Sequence, residues 1–258
     1  MVTFPTVEKN SDILANLAGV KQRIEAACAA NGRSPDEVKL VLVTKTVPPD
    51  QIRFAVEAGA SIMAENKVQE LVSKLAALSD LACERHFIGH LQSNKLKQVV
   101  PHVSCIQSLD SLSLAEKLNR KMQQDGRPMK VLLQVNTSGE ASKFGVSPDD
   151  VIKFVRDVAM FEMLQVRGLM TIGKFNPAQT ETRHCFALLR QLRDRTRDEG
   201  IPNVVMEHLS MGMSLDLEDA IAEGSTMVRI GRSIFGPRPS LVHVYWNESL
   251  RSSDADLT

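Results

Sequence analysis

Along the chain, short apolar runs alternate with longer stretches whose apolar residues recur at helical spacing. The runs are Lys39–Lys45, Ser61–Asn66, Arg85–Gly89, Cys105–Leu109, Lys130–Asn136, Val166–Gly173, Val205–Gly212 and Met227–Gly231. Most are too short for helices. Several are rich in Val, Ile and Leu, the pattern of parallel strands buried on both faces. The intervening stretches read as helices. One, with Ile52 and Val56, follows Pro48-Pro49. Another starts at Ser111 and lines up Leu114, Leu118 and Met122. Pro148 opens Val151–Met160, and Pro177 opens a long segment to Glu199 that stops at Gly200-Ile201-Pro202. Asp216–Glu223 is the last, before Gly224.

Strand–helix alternation over eight runs predicts an α/β fold, a single (β/α)8 TIM barrel, with a doubly wound open sheet as the alternative. An extra helix precedes the first strand, with Ile13, Leu17, Val20, Ile24 and Ala27 on one face and Asn31-Gly32 closing it. Ser34-Pro35-Asp36-Glu37 then offers an N-cap serine, a proline at the first helical position and a glutamate at the third. No linker divides the chain, so residues 1–258 are expected to form one domain with a core of about 12–240. The polar end, Ser252–Thr258, is expected to fray.

Composition narrows the class without naming a function. The 258 residues are 43% hydrophobic and 24% charged, enough for one sizeable core. Lys plus Arg equals Asp plus Glu at 31 each, with no basic run, so nucleic acid and anionic membranes are not expected partners. No apolar run is long enough to span a bilayer, and Met1 to Asn10 lacks the signature of a signal peptide. Cys28, Cys83, Cys105 and Cys185 form no Cys-x-x-Cys pair, so neither a metal site nor a disulfide framework is expected. A reducing, cytoplasmic location follows.

In such barrels, chemistry sits at the C-terminal ends of the strands. The first run delivers Lys45, directly after Leu40-Val41-Leu42-Val43-Thr44. A partly desolvated lysine there can act as a neutral amine and form a Schiff base with a carbonyl; alternatively, its stem lies on apolar surface with its head in water. The seventh run leads into Ser210-Met211-Gly212 and the eighth into Gly231-Arg232-Ser233. These are the loops where barrels commonly bind phosphate through backbone amides. Ser210 and Ser233 could add hydroxyls and Arg232 a charge, or the glycines could simply serve the turns. Arg229 interrupts an apolar run and needs a partner: either a carboxylate such as Glu207 or an acceptor on a ligand. A lysine opposite a phosphate cradle with an arginine between fits pyridoxal 5′-phosphate, and fits a Schiff-base aldolase for a sugar phosphate nearly as well.

A family resemblance narrows this choice. Val41-Leu42-Val43-Thr44-Lys45-Thr46, Glu65-Asn66-Lys67-Val68-Gln69-Glu70, His86-Phe87-Ile88-Gly89-His90 through Lys95, Gly168 through Gly173 and Leu209 through Ser214 resemble the pyridoxal phosphate homeostasis proteins, the YggS/PROSC family. The match continues from Gly224 through Gly231 to Gly236 and covers roughly Leu14 to Arg238. It implies a fold-type III barrel like the N-terminal domain of alanine racemase. It also implies that Lys45 carries the cofactor, that Asn66 lies near the ring and that Arg229 faces the pyridine nitrogen. The phosphate would be held by Ser210, Met211, Gly231 and their neighbours. The family usually has serine at Thr44, often glycine at Ala64 and often threonine at Arg232, so Ser233 or the Arg232 guanidinium must substitute in the cradle. His90 and Lys143 read as loop residues at the same mouth.

The resemblance further implies a non-catalytic protein that holds pyridoxal phosphate in cofactor homeostasis, with pyridoxal-phosphate-dependent apo-enzymes as possible recipients. The alternative is a pyridoxal-phosphate-dependent amino-acid racemase. Racemisation needs acid/base groups on both faces of the cofactor. In alanine racemases one of these is a tyrosine from a second domain, whereas the single tyrosine here, Tyr245, follows the last strand. No catalytic residue is therefore expected.

Overall fold

The computed structural model describes residues 6–174 and 179–237. All eight apolar runs are strands: β1 (Lys39–Val43), β2 (Ile62–Glu65), β3 (Glu84–Phe87), β4 (Cys105–Leu109), β5 (Met129–Gln134), β6 (Leu164–Met170), β7 (Val204–Ser210) and β8 (Met227–Ile230). They close a parallel barrel in sequence order. The ring is sealed by β1 pairing with β8, Lys39 opposite Met227 and Val41 opposite Arg229, which excludes the open sheet. Most strands stop before the apolar run does. Val43, Glu65, Ser210 and Ile230 are the last ladder residues, so Lys45, Asn66, Met211 and Gly231 stand just beyond it, at the mouth.

Val41, Ile62, Ala64, Cys105, Leu132, Met170 and Met227 fill the bore, while the alternate residues of the strands pack outward against the helices. Those helices are α1 (Thr6–Ala30), α2 (Pro49–Glu57), α3 (Val68–Leu78), α4 (Leu96–Val99), α5 (Leu112–Asp125), α6 (Val151–Ala159), α7 (Gln179–Asp198), α8 (Leu217–Ala222) and the short α9 (Arg232–Phe235). Ser111 caps α5 by accepting from the Leu114 amide, and Gly126 ends it in the left-handed conformation. Ser34 and Glu37 form the predicted capping box, but around a single 3-10 turn, Pro35–Glu37. Pro177, Tyr245 and the Ser252–Thr258 tail lie outside the described residues.

The predicted face of α1 is buried: Ile13, Leu17, Val20, Ile24 and Ala27. Its polar residues reach the loops at the mouth. Arg23 donates to the Ser214 carbonyl at 3.1 Å and pairs with Glu218, and Asn16 donates to the Ile234 carbonyl at 3.1 Å. Gly212 needs its missing side chain. It has φ +93°, and a Cβ there would lie 2.5 Å from the Ala220 Cβ. Among the described residues no helix is long and apolar enough to cross a membrane.

At the other end of the barrel, burial pushes the His208 imidazole down to about 4, against the opposing pull of Glu207. A histidine that binds its proton less readily when folded contributes stability that is complete above its ordinary pKa, about 6.5. That contribution is lost as the pH falls towards 4. Chemical denaturation should therefore show a His208-dependent loss of stability between pH 6.5 and 5, on the order of 2 kcal/mol. His208→Gln should flatten that slope; an unchanged slope would place the effect elsewhere.

Candidate functional site

The mouth collects one contribution from nearly every strand end. Lys45 lies in the turn after β1, partly buried, between the fully buried Thr44 and the exposed Thr46. Asn66 follows β2, with Gly89 pressed against it: a Cβ on Gly89 would lie 2.0 Å from the Asn66 carbonyl oxygen, so only glycine lets the loop after β3 approach. The Asn66 Oδ1 is buried and accepts no hydrogen bond from the described residues. A buried acceptor of this kind is costly unless a ligand donor completes it.

Arg229 points into the bore, on the Met227 side of β8, and is 5% exposed. It donates to the Ser210 hydroxyl at 2.8 Å and to the Thr171 carbonyl at 2.7 Å. Burial pulls its guanidinium down to about 10, partly offset by Asp216, so it stays cationic at neutral pH. No carboxylate among the described residues lies within ion-pair distance of it. Glu207, the alternative partner, pairs instead with Arg167 at 2.9 Å and with His208 at 3.1 Å. The pairing of Arg229 with Glu207 is thereby excluded. Its remaining N–H donors are available to an acceptor in the mouth.

The chain of hydrogen bonds continues down the bore. Ser210 donates to Gln107 Oε1 at 2.6 Å, and Gln107 Nε2 meets His86 Nδ1 at 2.8 Å. The Gln107 amide can only donate there, so His86 Nδ1 accepts and its proton sits on Nε2, 3.2 Å from Glu84. That bond to His86 holds the Glu84 carboxyl down to about 2.

Two of the expected phosphate groups are therefore engaged inside the protein. The Ser210 hydroxyl donates to Gln107 and not into the loop, while Met211 is buried and its amide donates to the Met227 carbonyl at 3.1 Å. Ser210 acts by aiming Arg229, and Met211 by seating the loop after β7. The loops after β7 and β8 meet where the Ser233 amide donates to the Ser214 hydroxyl at 3.3 Å. Gly231 precedes α9, whose opening Arg232 amide has no intrahelical acceptor, and the Arg232 side chain is exposed. His90 stacks on Phe144 with ring centroids 3.8 Å apart and meets Asp110 at 3.2 Å, closing one side of the mouth. Lys143 donates to the Gly173 carbonyl at 2.6 Å and pairs with Glu140.

This closed barrel, with a lysine after its first strand, an arginine in its bore and glycine turns after its last two strands, belongs to the alanine racemase N-terminal domain family. The sequence profile of that family matches residues 16–239. Within it the chain belongs to the pyridoxal phosphate homeostasis proteins. The one from Aquifex aeolicus is 41% identical over 222 residues, 86% of this chain and 96% of that protein. The one from Pseudomonas aeruginosa is 41% identical over 228 residues, 88% of this chain and 96% of that protein. PipY of Synechococcus elongatus PCC7942, solved with pyridoxal phosphate bound, is 36% identical and superposes with a TM-score of 0.74, covering 83% of this chain and 100% of its own.

Replacing Gln107 with leucine removes the link between Ser210 and His86 and leaves both with unmatched polar atoms in the bore. Urea unfolding of Gln107→Leu should show a loss of about 1–3 kcal/mol. An unchanged midpoint would mean that the chain of hydrogen bonds is not coupled to folding.

Proposed function

We propose that this protein holds pyridoxal 5′-phosphate on Lys45 and serves intracellular homeostasis of that cofactor without turnover. The observation that carries this reading is Arg229: a buried cation with spare donors, paired to no carboxylate among the described residues, in the strand beside β1, which leads into Lys45. The cofactor supplies an aldehyde that condenses with an amine as a Schiff base, a ring nitrogen that accepts a hydrogen bond, and a phosphate that takes amide and hydroxyl donors. Lys45 supplies the amine. Asn66 offers its unmatched Oδ1 beside the ring. Arg229 donates to the ring nitrogen, and because a guanidinium does not give up its proton, that nitrogen stays unprotonated and the ring draws electrons weakly. Gly231, Arg232 and Ser233 receive the phosphate, with Ser210 and Met211 behind them.

The relatives' names support the non-catalytic half of this reading, since each is named for homeostasis of the cofactor and not for a reaction. The four free cysteines support a reducing, cytoplasmic setting. Pyridoxal-phosphate-dependent apo-enzymes are the proposed recipients, and neither nucleic acid nor a membrane enters the scheme.

Purified protein should be yellow, and borohydride should fix the cofactor on the peptide containing Lys45. Mass mapping to Lys143 or Lys174 instead would overturn the assignment. Arg229→Gln should weaken cofactor retention by roughly 1–3 kcal/mol in titrations of the apo-protein, with Lys45 still labelled.

Neither enantiomer of alanine should be turned over above the rate of free pyridoxal phosphate. Racemisation at about 1–1000 per second would establish an enzyme instead.

A further inference from the structure

The turn that presents Lys45 contains a strained residue. Thr46 has φ +62°, a left-handed conformation that a β-branched side chain disfavours. Its amide is held by Glu70 Oε2 at 2.5 Å. On the other side of Lys45, the Thr44 hydroxyl donates to Glu65 Oε1 at 2.7 Å, and the Thr44 carbonyl accepts from Lys74 Nζ at 2.8 Å. Lys74 joins the two carboxylates, lying 2.7 Å from Glu65 and 3.0 Å from Glu70. Both neighbours of Lys45 are thus fastened to one carboxylate–ammonium–carboxylate group built from the end of β2 and the first turns of α3.

Stability alone does not account for this group. Glu65 is 1% exposed and Lys74 8%, and a buried ion pair is often no better than apolar packing of the same volume. Glu65 Oε2 is also buried without a hydrogen bond from the described residues, a further cost. What the charges add is direction: one fixed hydrogen bond on each of the two peptides flanking the lysine, and a third on the Thr44 hydroxyl.

We propose that Glu65, Lys74 and Glu70 are positioning residues that fix the direction in which the Lys45 amine is offered to the cofactor. The proposal rests on the reading of Lys45 given under the proposed function. Glu70 keeps Thr46 from relaxing to negative φ, a change that would swing the Lys45 peptide. Lys74 ties that clamp to β1 and β2, so the turn moves with the barrel.

Glu70 is only partly buried, so Glu70→Ala removes the clamp with little loss of packing. Retention of pyridoxal phosphate is compared for wild type, Glu70→Ala and Glu70→Gln, each with Lys45 present and in a Lys45→Ala background. With Lys45 present, Glu70→Ala should weaken retention about tenfold or more, as expected for the loss of one charge-assisted bond. Without Lys45 the same substitution should change it by less than about twofold, because only the lysine reads the turn. Glu70→Gln keeps an oxygen for the Thr46 amide and should stay within about threefold of wild type. Equal losses in both backgrounds would make the clamp merely structural and overturn the proposal, as would no loss at all. If wild-type protein takes up no cofactor, the reading of Lys45 falls with it; if wild type loads and Glu70→Ala loads equally well, only the proposal falls.

Discussion

The cation of Arg229 inside the bore is the constraint to which much of the barrel answers. An uncompensated charge in such a place costs far more than a domain has to spare, so its surroundings must be polar in the right places. Thr171 supplies a backbone carbonyl from the end of β6, and Ser210 a hydroxyl from the end of β7. Ser210 accepts from Arg229 through its oxygen while its own proton goes to Gln107, whose amide group in turn meets His86. Four strands, β8, β7, β4 and β3, are thereby linked through their inward side chains, and the polar chain runs through a bore otherwise filled by Val41, Cys105, Leu132 and Met170.

The same arrangement explains how a rigid scaffold presents polar groups at its mouth. The ladder residues are spent on closing the ring, and the chain becomes free to serve a ligand only just past each strand. Lys45, Asn66 and Gly231 all occupy that position. Their precision comes from what lies behind them: the clamp of Glu65, Lys74 and Glu70, the close seat of Gly89 on Asn66, and the α1 contacts to the loops after β7 and β8.

The barrel itself was legible because strands buried on both faces carry uninterrupted apolar runs, and proline and glycine punctuate the stretches between them. Lys45 and Arg229 stood out as polar residues at the end of, or inside, those runs, while Asn66 was marked only by the family resemblance. What the pattern could not show was direction. Arg229 and Glu207 lie on neighbouring strands, and only the register tells that one faces the bore and the other the outside. Ser210 looked like a loop hydroxyl, yet it is the last ladder residue and points inward. Gln107 reads as one polar residue in an apolar run, with nothing in the chain near it to suggest a partner 103 positions away in Ser210. Glu70 and Lys74 show the spacing of an ordinary surface helix pair; their link to Glu65 and to the β1 turn exists only in three dimensions.

The pairing of β1 with β8 has a bearing on how the molecule is made. β1 leaves the ribosome long before its partner β8, with the six other strands of the ring between them in the chain. Until β8 arrives, β1 has one unpaired edge and Lys45 stands over an unfinished bore without Arg229. The amine is thus synthesised early but acquires its surroundings late. Nascent chains therefore carry the Lys45 amine beside an open strand edge, and only ring closure sets Arg229 in the bore next to it.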